Sequence, residues 1–300
     1  MSVVRPVDRF VAAYNVLLAI VWGALVGRAD FAAAIALAHV VGAGLPWLLA
    51  RCGGRLGSVM DVLHQIYPMF WMLAFWTELG FLRPFHGPAH DAWVTALDLA
   101  VFRAHLNAVW MPGMPWLWFS ELMHFCYYAY YALIFLPPLV LLVTRRRAAL
   151  EDVVLRLLVT YLACYAFYLM FPVDGPGHTM VHYQGAPNTG LFYHLVHQAG
   201  DFGDSMGTAF PSSHVAGALT IAWAGWRWCS KPVRTVLALE ALGVVLATVY
   251  TQNHYAIDVA TALVGTTLVQ LLVVPALVRV RAPRAASSPI MPAPGPRTDP

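Results

Sequence analysis

Apolar positions along this chain gather into long blocks separated by short polar or basic breaks. A helix that crosses a bilayer needs about 20 mostly apolar residues. Eight blocks approach that length: 10–27, 31–50, 59–79, 116–144, 150–171, 211–229, 233–252 and 254–278. They predict an all-α fold, a polytopic transmembrane helical bundle of about eight spans. The stretch 88–108 has shorter apolar runs and carries Asp91, Asp98 and Arg103, which predicts an interfacial helix rather than a span. The 116–144 block is overlong and contains Pro137 and Pro138, so a kink or tilt is expected there.

Arg5 and Arg9 before the first block resemble the start of a signal peptide. The block is longer than a signal core and no cleavage site follows it, so it is retained as a helix. The chain is expected to divide into two N-terminal helices (1–57), a six-helix core domain (58–278) and a cytoplasmic tail (279–300). The tail is rich in Pro, Ala and Ser, which predicts disorder.

Charge fixes the orientation. With eight spans, all 18 basic residues except Arg28, Arg83 and Arg103 fall on one face. Basic residues mark the cytoplasmic side. Both termini are therefore expected in the cytoplasm, with 80–115, 172–210 and the turn near His254 outside. Arg-rich, Lys-poor and Ala-rich usage points to a bacterial inner membrane.

Composition agrees with the pattern. Hydrophobic residues make up 60% of the chain and charged ones only 11%, against about a quarter charged in soluble domains. The mean hydropathy is +0.64. A net charge of +3 gives no reason to expect a nucleic-acid partner. Cys52, Cys126, Cys164 and Cys229 lie in or beside apolar blocks, which argues against a disulfide framework.

Three pieces with chemical potential fall on the outer face. Phe210-Pro211-Ser212-Ser213-His214 opens the sixth block. Proline suits a first helical turn, and a helix start offers amide donors and a positive dipole end to a phosphate. Ser212 and Ser213 add hydroxyl donors, and His214 has a proton to give. Each serine could equally be an ordinary helix-start residue. His254-Tyr255-Ala256-Ile257-Asp258 opens the eighth block. Spacing of i,i+4 puts His254 and Asp258 on one face, where the carboxylate fixes the imidazole tautomer and leaves the other nitrogen free to attack. An intramembrane carboxylate is costly unless paired, and this pairing explains Asp258. Phe171-Pro172-Val173-Asp174-Gly175-Pro176-Gly177-His178 leaves the fifth block as an irregular loop. His178 either points at a bound phosphate or caps the loop, and Asp174 can be a simple turn former.

On these residues the chain resembles the type 2 phosphatidic acid phosphatase superfamily, most closely its inositol phosphorylceramide synthase branch. Phe210 to His214 is similar to the family's second motif, and Ala247 to Asp258 to its third. The run Tyr127-Tyr128-Ala129-Tyr130-Tyr131 after Asp98 is similar to that branch. The likeness spans roughly 90–278. It implies that His254 is the phosphate-accepting nucleophile, that Asp258 aligns it, and that His214 protonates the leaving group. It implies metal-independent chemistry with no cofactor, a lipid phosphate substrate, and membrane lipids as partners. Two positions depart from the usual pattern. Thr248 stands where many members have Arg, as it does in the named branch. His178 stands where the first motif usually supplies Arg, and an imidazole is only partly charged near pH 7 and lacks a bidentate fork. Arg83 and Arg103 are the other outer cations within reach.

The residues leave other readings open. The aromatic run 127–131 suits packing or an interfacial belt. His86, His90, His182, His194 and His197 also lie outside, and His194 and His197 have metal-compatible i,i+3 spacing. No carboxylate–His signature accompanies that pair, so no metal site is expected. The function expected is a lipid phosphatase or phosphotransferase. The alternatives are transfer of an inositol-phosphate-type head group to a lipid alcohol, or lipid binding and transport without catalysis.

Overall fold

The computed structural model describes residues 4–52, 58–203 and 205–279. The tail expected from 279 lies, past Arg279, outside the described residues. All eight apolar blocks are helical: α1 (Pro6–Ala24), α2 (Ala32–Cys52), α3 (Ser58–Leu82), α6 (Leu117–Val143), α7 (Arg147–Met170), α10 (Ser213–Trp228), α11 (Lys231–Tyr250), and α12 (Ala256–Leu268) continued through a π turn into α13 (Val274–Arg279). The chain is therefore an all-α, polytopic membrane bundle. Six of these helices are long and apolar enough to cross a membrane. Two expected spans are weaker. Helix α3 carries Asp61, His64 and Glu78. Helix α10 has only 16 residues, or about 24 Å, short of a hydrocarbon core of about 30 Å.

The expected interfacial helix at 88–108 is two helices, α4 (Asp91–Phe102) and α5 (Leu106–Gly113). Arg103 takes a left-handed conformation and caps α4, and the His105 ring turns back to Asp98 at 3.1 Å, which breaks the helix. The 172–210 segment folds into a short turn, α8 (Pro176–Thr179), and an amphipathic helix, α9 (Leu191–Gly203), which packs on α6. Helix α6 runs through Pro137 and Pro138 without ending.

Helix α7 is the axis of the bundle. Nearly every residue from Ala149 to Tyr168 is buried, because α1, α3, α6 and α10 all pack on it. One apolar cluster runs from Val7 and Trp22 of α1 through Phe75 of α3 to Ile221 of α10 and Val274 of α13.

Several polar groups inside this bundle are bonded to one another, which lowers the cost of burying them. Asp8, fully buried, accepts from the Arg5 guanidinium at 2.9 Å and the Tyr67 hydroxyl at 2.8 Å, and meets His64 Nε2 at 3.2 Å. Higher on the same helices, His39 bridges Asn15 at 2.9 Å and Glu78 at 2.8 Å, while Trp22 donates to Glu78. At the π turn, Gln270 accepts from Arg156 at 2.7 Å and donates to Thr160 at 3.0 Å, tying α7 to α13. The Asp8 and His39 groups tie α1, α2 and α3 together.

Replacing Asp8 with Ala leaves the Arg5 cation without its carboxylate. The expected loss is about 3–5 kcal/mol, read as a fall in Tm in nanodiscs. An unchanged Tm contradicts the buried network.

Candidate active site

Three chain segments meet at one end of α7, α10 and α12. The first leaves α7 at Phe171. Val173 N donates to Gly207 O at 3.2 Å and Ala209 N to Val173 O at 2.9 Å, so this loop is stitched to the segment before α10. Gly175 sits at φ +82°, and an added Cβ would strike Ala209, so glycine is required for the turn. Asp91 at the start of α4 accepts from Asp174 N at 3.0 Å and Gly175 N at 2.8 Å.

The second segment enters α10. Pro211 was expected in the first helical turn. It lies instead before the cap, in a cis peptide with Phe210. Ser212 is the N-cap, its hydroxyl accepting from Val215 N at 3.4 Å. The Tyr168 hydroxyl donates to Pro211 O at 2.5 Å. His214 thus rides on the first turn of α10. Its ring lies against Tyr127 at 4.9 Å and Tyr130 at 4.5 Å, both from α6.

The third segment enters α12. His254 precedes the helix, whose cap is Tyr255. Asp258 is the third helical residue and reaches back in a capping box. Its Oδ2 accepts from Tyr255 N at 2.8 Å and lies 3.2 Å from His254 Nδ1. The pairing expected from the spacing is present, made from the cap rather than along a helix face. With Nδ1 so engaged, Nε2 is the nitrogen left for chemistry. Asp258 O also accepts from Ser212 N at 3.2 Å, which joins the two helix starts. Asp98 of α4 accepts from Ile257 N at 2.9 Å, a further cap on α12.

The His214 and His254 rings stand edge-on, with centroids 5.7 Å apart. Both line a polar recess of about 20 Å³, together with His178, Asn253 and Asp174. The recess shares Trp76, Tyr127, His214 and Asn253 with an apolar cavity of about 280 Å³. That cavity lies between α3 and α6 and is floored by Tyr161 and Tyr165 of α7. Ser213 lines the cavity, and the buried Ser212 hydroxyl caps its own helix. Thr248 is fully buried, its hydroxyl donating to Val245 O. Among the described residues, no Lys or Arg lines the recess.

Arg83 is near but committed. It donates to both oxygens of Asp174, at 2.7 and 2.8 Å. That guanidinium holds the Asp174 carboxyl below its ordinary value of 3.8, and the carboxylate raises Arg83 in turn. Pairing also removes the repulsion an open carboxylate would present to a phosphate. Asp174 is therefore more than a turn former.

Sequence reasoning did not assign Asp91, Asn253, Tyr127 and Tyr130 to the site. Asp91 and Asp98 are seven apart on one helix, a spacing that places both on one face and could have suggested a shared role. Nothing local flags Tyr127 and Tyr130, since their partner is 84 or more residues away.

The PAP2 superfamily profile matches residues 92–272. The chain matches no curated protein sequence and no solved structure.

Asp174→Asn frees Arg83 and loosens the loop. The expected cost is on the order of 1 kcal/mol, or about 2–4 °C in Tm. Because the Asp174 pKa is depressed, the wild-type contribution is fully present above pH 3.8 and is lost as pH falls through the depressed value. The gap between wild type and variant is thus constant from pH 8 to about pH 5. A gap that closes within that window contradicts the clamp.

Proposed function

The chain belongs to the PAP2 superfamily, and on that premise we propose that it is a membrane lipid phosphatase or phosphotransferase working through a phosphohistidine. The observation that carries this reading is the edge-on pair His214–His254, 5.7 Å apart in a polar recess that opens onto an apolar cavity. The two compartments match a molecule with a phosphate head and an apolar tail.

In this reading the phosphate of a lipid phosphate or diphosphate occupies the recess and its chain lies between α3 and α6. His254 Nε2 attacks phosphorus. A P–N bond forms as the P–O bond to the leaving group breaks, and protonated His214 gives its proton to the departing oxygen. Asp258 holds the His254 tautomer and stabilises the imidazolium that forms. Water or an alcohol then attacks the phosphoryl group, its proton passes to His214, and the P–N electron pair returns to His254. His178, Ser213 and the α10 start, held in place by Ser212, stabilise the phosphoryl oxygens. Aromatic contact from Tyr127 and Tyr130 orients His214. Thr248, uncharged and buried, supports the inositol phosphorylceramide synthase branch within the family. The basic-residue pattern supports cytoplasmic termini and a site on the opposite face.

Purified protein is expected to release phosphate from short-chain lipid phosphates. His254→Ala should abolish release, and His214→Ala should lower it by about 10²–10⁴-fold. Label from a [32P] lipid phosphate should stay on denatured wild type in base and not on His254→Ala. Full activity in His254→Ala contradicts the nucleophile assignment, and lipid binding without turnover favours a carrier. For orientation, a fluorescent reporter that matures only in the cytoplasm should light up at either terminus. A dark reporter at both ends reverses the topology.

A further inference from the structure

A second group of imidazoles lies beside the recess and has no part in the steps above. His124 of α6 is fully buried. Its Nδ1 lies 2.8 Å from Ser120 O, and its Nε2 has no partner. His182, in the loop after α8, is half-buried and also has a buried, unpartnered Nε2. Between them sits His197 of α9, with ring centroids 6.3 Å from His124 and 6.2 Å from His182. Its Nδ1 lies 2.8 Å from Tyr193 O. Asn188, bonded to the Tyr193 hydroxyl at 3.0 Å, has an unpartnered Oδ1 as well.

Buried polar atoms without partners are uncommon and call for a ligand or water. The fold holds them deliberately. Glu121 of α6 accepts from Phe192 N and Tyr193 N at the start of α9, which docks α9 over α6. Gly190 permits this approach, since an added Cβ there would collide with the Glu121 carboxylate.

Spacing selects the ligand. A metal bound by two imidazole nitrogens at about 2.1 Å would set the ring centres roughly 5–5.5 Å apart. One oxygen hydrogen-bonded by two imidazoles at about 2.8 Å sets them roughly 6–6.5 Å apart, as found. No metal-binding group of three or more His, Cys, Asp or Glu occurs among the described residues. Charge selects further. Burial, and then His197, lower the His182 pKa, which disfavours the charged form of that ring. Neutral imidazoles suit hydroxyl groups better than phosphates.

Position gives the cluster its role. His124 is one turn from Tyr127, whose ring stacks on His214. Val196, next to His197, lines the apolar cavity that His214 also lines. Through these two neighbours the cluster is joined to the wall of the cavity that His214 lines.

We propose that His124, His182 and His197 form an acceptor subsite that binds a polyhydroxyl group and presents one hydroxyl to the phosphoryl group on His254. This rests on the phosphohistidine reading. The hydroxyl oxygen attacks phosphorus, its proton goes to His214, and the P–N bond breaks with its electron pair returning to His254. The product is a new phosphate ester rather than inorganic phosphate. The polyol is either free in the outer compartment or the head group of a membrane lipid.

The test uses full-length protein in nanodiscs with labelled short-chain lipid phosphate. One arm adds glycerol, and the other places phosphatidylglycerol in the bilayer. The readout is the ratio of transferred to released phosphate, which a loss of folded protein does not move. Wild type should transfer label in at least one arm, which identifies the source. His182→Ala and His197→Ala should each lower the ratio about five- to tenfold, the effect of one lost hydrogen bond. Turnover in wild type with no transfer in either arm, or with a ratio unmoved by both variants, overturns the subsite and leaves the phosphatase reading intact. No turnover at all overturns both. Stoichiometric metal that is lost in His197→Ala overturns the hydroxyl assignment.

Discussion

The site depends on one residue's two ends. Through its side chain, Asp258 caps α12 and fixes His254. Through its main-chain carbonyl it receives Ser212 N, the cap residue of α10. Two helix starts, each a positive dipole end, are thereby held side by side. This carboxyl has no exposed surface; its Oδ2 meets Tyr255 N and His254, while its buried Oδ1 has no partner among the described residues. Loss of that carboxylate would free the His254 ring and uncap α12.

Around that junction the fold supplies a brace. Helix α4 presents Asp91 to the loop after α7 and Asp98 to the start of α12. Arg83 then ties α3 to the same loop through Asp174. Asp91 is thus spent on backbone amides, Asp98 on an amide and the His105 ring, and Asp174 on a guanidinium. Among the described residues, three imidazoles and the Arg83-paired Asp174 line the recess, and no Lys or Arg does.

Two aromatic side chains draw the boundary between the two compartments. Trp76 and Tyr127 stand at that boundary. On one side the walls are imidazoles and an amide. On the other they are Met72, Leu73, Ile134 and Phe135. Helix α3, which lies ahead of the 92–272 match, supplies Met72, Leu73, Trp76 and Thr77 to the cavity wall.

Hydropathy, read along the sequence, determined the membrane class and the positions of eight helices, because a span must bury about 20 consecutive residues and so writes itself locally. It also determined the His254–Asp258 pair and the His214 helix start, because both are encoded within five residues. Tertiary structure alone decided that α10 is too short to span comfortably, that Arg83 belongs to Asp174, and that Tyr127 and Tyr130 hold His214. It alone also gathered His124, His182 and His197 from three segments. Those contacts join residues from about 15 to more than 90 positions apart, and no periodicity within a helix specifies which distant face it will meet.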